Sequence, residues 1–88
     1  MKIKTVYNKL YSLADGLSIK IIKGKGNFKG GACIYKKEHI IVLNHNKPIE
    51  ERVRNLAFSL LEFDIDKIEI DNNIKKILDD YQYIKEHE

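Results

Sequence analysis

Five residues, His39-Ile40-Ile41-Val42-Leu43, set the strictest condition on what this chain can become. As a strand they send Ile40 and Val42 to one face and Ile41 and Leu43 to the other, so both faces need cover. Such a strand belongs in the middle of a sheet or against a partner. Before it, ACIYK (32–36) is β-branched and aromatic enough for a second strand, with Lys36 to Glu38 as the polar turn of a hairpin. After it, Pro48 suits the first turn of a helix, and Glu50 and Glu51 complement that helix's positive end. Ile49, Val53, Leu56, Ala57 and Leu60 then recur at helical spacing. Phe58 falls opposite Ile49 with Leu61 on its flank, so this helix is expected to touch two layers.

The remaining segments fit around that unit. Val6, Leu10, Leu13 and Ala14 share one helical face, and Gly16 is a natural stop. LSIKIIK alternates as a strand with one buried face. GKGNFKGG (24–31) holds four glycines in eight residues and reads as a sharply bending loop. Lys25 and Lys29 could face a phosphate there, but the loop is not a Walker motif, and a plain solvated turn is preferred. FDIDKIEID (63–71) suits a connector or a short edge strand. Asp71 is an N-cap candidate before the stripe Ile74, Ile77, Leu78, Tyr81 and Ile84, whose helix could cover Phe58. The expected fold is one α+β domain over 1–88. It has a small, largely antiparallel sheet of about three strands (17–23, 32–36, 39–43) flanked by helices 3–15, 48–62 and 72–85.

Charge is unevenly distributed along the sequence. Residues 1–47 carry ten lysines and two acids, +8, whereas 48–88 carry six Lys and Arg and eleven acids, −5. The halves are expected to fold against each other and partly neutralise. The lysines Lys20, Lys23, Lys25, Lys29, Lys36 and Lys37 could contact nucleic acid or another anion. Aromatic interleaving is limited to Phe28 and Tyr35, however, and no arginine stands among them for bidentate base contacts. Cys33, His39 and His45 are metal-capable but spaced six apart, with neither CxxC nor HxxxH, so a buried thiol and two surface imidazoles are expected and no metal or cofactor. The lone cysteine cannot form an internal disulfide, and the first residues lack a signal-peptide or membrane-spanning run, so a cytoplasmic, membrane-free setting is expected.

With this order of elements, residues 6–62 resemble the N-terminal part of the ImmA/IrrE class of small zinc metallopeptidases. The resemblance rests on Gly31-Ala32-Cys33, on Ile40-Ile41-Val42-Leu43-Asn44, on Pro48 with Arg52 or Arg54, and on Leu56-Ala57. In that family the last pair leads into L-A-H-E-x-x-H. Laid on Leu56-Ala57, the first histidine position is Phe58, the glutamate position Ser59 and the second histidine position Glu62. Neither Phe58 nor Ser59 can do the family's zinc chemistry, and the chain ends before most of what usually follows that helix. The chain is also similar to small bacterial proteins that share a K-G-G-x-C turn, an apolar strand and a ligand-free helix.

The resemblance implies a zincin-like fold without metal or catalytic residues. The sequence therefore favours a non-catalytic interaction module that binds a protein partner or itself, with Phe58 and Leu61 as candidate contacts. Nucleic-acid or anionic-ligand binding through the lysines is the alternative, and an enzyme comes third.

Overall fold

The structure, a computed structural model, describes residues 1–63 and 69–88. Along the chain lie α1 (Ile3–Gly16), β1 (Lys20–Gly24), β2 (Gly31–Tyr35), β3 (Glu38–Asn44), α2 (Ile49–Leu61) and α3 (Asn72–Glu86), an α+β arrangement. The connector-or-strand alternative over 63–71 falls largely on 64–68, outside the described residues.

The two-sided apolar strand takes the middle of the sheet, whose order is β1-β3-β2. β2 and β3 form the expected antiparallel hairpin, with Ala32 opposite Ile41 and Cys33 opposite Ile40. β1 instead joins β3 in parallel, Ile21 beside Ile41 and Gly24 beside Asn44, so the sheet is mixed rather than largely antiparallel. The cause is the route of the chain. It leaves β1 beside Asn44, crosses the C-terminal end of β3 in the glycine-rich loop, and returns as β2 on the far side, starting beside Val42. We call residues 25–30 the arch.

Strand β1 is shorter than the apolar alternation suggests, because Leu17 and Ser18 finish a helix. The helix runs through Gly16, and the turn closes with Ser18 N–H donating to Asp15 and Ile19 N–H to Ala14. These are the two bonds of a Schellman cap, in which the left-handed residue is Ser18 (φ 59°) and the apolar lock is Ile19 over Ala14 and Leu13, all three buried. The stop is therefore set two residues beyond the glycine that suggests it.

Side-chain alternation puts Ile21, Ile41, Leu43 and Ala32 on one face, under α1 and α2. There Val6, Leu10, Leu13 and Ala14 of α1 meet Val53, Leu56, Ala57 and Leu60 of α2 in the core. α3 packs on α2 and α1 rather than on the strands, so α2 touches two layers as its two apolar sides require. Of the α3 stripe, Leu78 is buried and Ile74, Ile77 and Tyr81 lean on the core, whereas Ile84 stays exposed. Asp71 caps the helix, accepting from Asn73 N–H at 2.7 Å. Among the described residues no helix is long and apolar enough to cross a membrane.

Candidate functional site

A strand end buried beneath a loop needs a polar group to answer the loop's carbonyls. Asn44, the last residue of β3, supplies it at 1% exposure. Its Nδ2 donates to the carbonyls of Gly26 (2.8 Å) and Phe28 (2.5 Å), and its Oδ1 accepts from Asn46 N–H (2.9 Å). From α2, Asn55 Nδ2 donates to the Lys29 carbonyl at 2.7 Å. Gly30 (φ 90°) then presses on β3 so closely that a Cβ would lie 2.5 Å from the Val42 oxygen. The Phe28 ring folds over Gly24 and Gly26. The arch is thus a fixed piece of the structure, where the sequence suggested a plain solvated turn.

Between the arch and α2 lies a cleft of roughly 660 Å³, walled by Asn27, Phe28 and Lys29 on one side and by Glu51, Arg54, Asn55 and Phe58 on the other, with Lys47 and Glu88 at its margin. Phe58 and Leu61, paired as candidate contacts in the sequence, part company here. Leu61 packs on the core, whereas Phe58 is half-buried and lines the cleft. α3 reaches Phe58 only edge-on through Tyr81, ring centroids 6.2 Å apart at 79°. The guanidinium of Arg54 and the ammonium of Lys85 lie 5.2 and 5.9 Å from its ring. Arg54 also pairs with the Glu88 carboxylate. Burial raises the Tyr81 hydroxyl pKa, with Arg54 opposing. Lys47 and Asn55 escaped the sequence reading, and Arg54 entered it only through the resemblance, because their convergence with Lys29 is made by the chain's path.

The other positions of the resemblance scatter. Ser59 is buried and Glu62 is exposed at the end of α2. Cys33 is exposed, contrary to the buried thiol expected, because it projects from the sheet face that no described helix covers. His39 lies on the opposite face, its ring stacked 4.7 Å from Phe63. His45 is only partly at the surface, with Nε2 enclosed and unpartnered among the described residues. Burial, then the charges of Arg52, Lys23 and Lys25, lowers its pKa from the usual 6.5. Among the described residues no three His, Cys, Asp or Glu side chains come together as metal ligands.

The second face of the sheet carries Ile22, Ile40, Val42, Cys33 and Tyr35. Ile40 is buried yet outside the main core, with Lys20 and Cys33 as its cross-strand neighbours. Ile22 and Tyr35 remain 40% and 60% exposed. The six lysines do not form one plane. Lys20 stands on this open face, Lys23 on the other, 5.0 Å from the Tyr11 ring, Lys25 on the arch and Lys29 at the cleft. Lys36 and Lys37 form the hairpin tip, both left-handed (φ 49° and 69°), with the Lys36 ammonium 5.4 Å from the Tyr35 ring. Comparison with family models, curated proteins and solved structures gives no match for the chain.

Proposed function

We propose that the protein is a non-catalytic interaction module that docks a protein partner on the open face of its sheet. The observation that carries this reading is β3 itself: one of its apolar faces packs under α2 in the core, and the other is covered by no described helix. On that face Ile22 of β1 and Tyr35 of β2 stay exposed, and exposed apolar groups rimmed by charge are characteristic of a docking surface. Its rim is net basic, with Lys20 on β1 and Lys36 and Lys37 at the hairpin tip against one acid, Glu38, so the fitting partner is an apolar protein surface bordered by acids. The tip supports this further. Two lysines hold a turn geometry that Asn and Gly fill with less strain, which suggests residues kept for their charge.

A second copy of the chain is a specific version of the same reading. α3 displays exposed Tyr83 and Ile84 near Asp79, Asp80 and Glu86, an apolar and acidic surface of the required kind. The zincin-like resemblance fits a scaffold that has lost its ligands, with Phe58 and Ser59 where metal and base would stand, and it supports a role without catalysis. The test combines sedimentation at rising concentration with binding to partners recovered from cell extract. Ile22→Ser with Tyr35→Ser should leave the melting profile nearly unchanged and abolish the association. An association that survives both substitutions, or a salt-steep complex with nucleic acid in its place, would overturn the reading.

A further inference from the structure

We infer that the cleft between the arch and α2 is a binding site for a small aromatic oxyanion, with the Glu88 carboxylate as its built-in placeholder. The site is separate from the sheet face, so either reading can fail alone. Its volume, roughly 660 Å³, lies in the range of small-molecule pockets. Its lining pairs two kinds of group that such a ligand needs. Phe28 and Phe58 offer ring surface, while Lys29, Lys47 and Arg54 bring three cations to the same space, against the acids Glu51 and Glu88.

The walls are set before any ligand arrives. Asn44 and Asn55 bind three carbonyls of the arch, those of Gly26, Phe28 and Lys29. Gly30 seats the arch on β3 with no room for a side chain. Fixed walls lower the ordering cost of binding. Arg54 is the group that could fork onto a phosphate or carboxylate, and in the free protein it holds a carboxylate already, that of Glu88, thirty-four residues away. Both partners of that pair are about half exposed, so the bond is weak and an incoming anion can displace it. Removing Glu88's charge leaves three cations facing Glu51 alone.

A phosphate ester and a carboxylic acid both carry such an oxyanion, and the experiment separates them. Phenyl phosphate, phenylacetate and inorganic phosphate are titrated into the full chain while backbone amide shifts are followed by NMR. The aromatic anion of the matching class should bind saturably at about 1 mM or tighter, shifting Asn27, Lys29 and Asn55. Inorganic phosphate should bind roughly tenfold more weakly, because it leaves the rings uncovered. Glu88→Gln should tighten binding by about threefold and Arg54→Gln should weaken it by about tenfold, with melting profiles that show both variants folded. Lys4→Gln, exposed on α1 and outside the cleft lining, should leave anion binding unchanged. The proposal falls if Glu88→Gln shows no saturable binding of either aromatic anion. It falls equally if Arg54→Gln binds like the parent, or if the shifts map to Lys20 and Lys36.

Discussion

Asn44 is where a single side chain does most to fix this structure. It is buried, and its amide answers two carbonyls of the arch while its oxygen closes the next turn. Asn44→Ala leaves those carbonyls without their donor and should cost about 1–3 kcal/mol in urea melts. Asn44→Asp should cost more, because it sets a carboxylate against carbonyl oxygens. Nothing in the sequence marks this role. Its bonding partners lie 16 and 18 residues away, and the asparagine could be noted only as the end of an apolar strand. His45, the next residue, carries a pH dependence. Its folded pKa lies below the unfolded value, so the unfolded chain binds the proton more readily. The related stability is fully present above about pH 6.5 and is lost as pH falls through the folded value. The urea midpoint should therefore drop between about pH 7.5 and 5.5, and His45→Gln should flatten that drop.

The helices were legible because periodicity reports burial directly. The stripe Val6, Leu10, Leu13 and Ala14 and the positions Val53, Leu56, Ala57 and Leu60 are buried as their spacing predicts. Ends and turns were less legible, because residues without the usual preference occupy the left-handed positions. Ser18 holds the α1 cap, and Lys36 and Lys37 hold the hairpin tip. Replacing Lys36-Lys37 by Asn-Gly relieves two left-handed lysines and should raise stability by about 1–2 kcal/mol. If the tip is part of the docking surface, the same change should weaken partner binding. Phe58 tests the boundary between α2 and α3. A fully buried phenylalanine would cost about 3–5 kcal/mol on truncation, but this ring is half-buried and apart from the core. Phe58→Ala should cost about 1–2 kcal/mol in urea and should weaken binding of the aromatic anion in the cleft.

At the scale of the molecule, neither candidate surface could have been read from local pattern. The double apolar face of β3 predicted a central strand, and the strand is central. Which face lacks a helix follows from α3 packing on other helices, and no spacing along the sequence encodes that choice. The cleft likewise joins Lys29, Arg54 and Glu88 across most of the chain. The clustering of lysines in sequence overstated their clustering in space, since alternation along β1 already sends Lys20 and Lys23 to opposite faces.

The route of the chain over the end of β3 also bears on how the protein reaches and leaves its native state. β2 and β3 pair across a two-residue tip and can form early. β1 pairs with β3 at a separation of twenty residues, after the arch has been laid across, so it is the slow and late partner. Amides of β1 should accordingly exchange with deuterium by a lower-energy opening than those of the hairpin, measured at native conditions. In that opened state the strand with two apolar sides loses its neighbour and becomes a bare edge. The species most prone to clump is therefore the nearly native one, and conditions that loosen β1 should provoke aggregation before the bulk of the fold is lost.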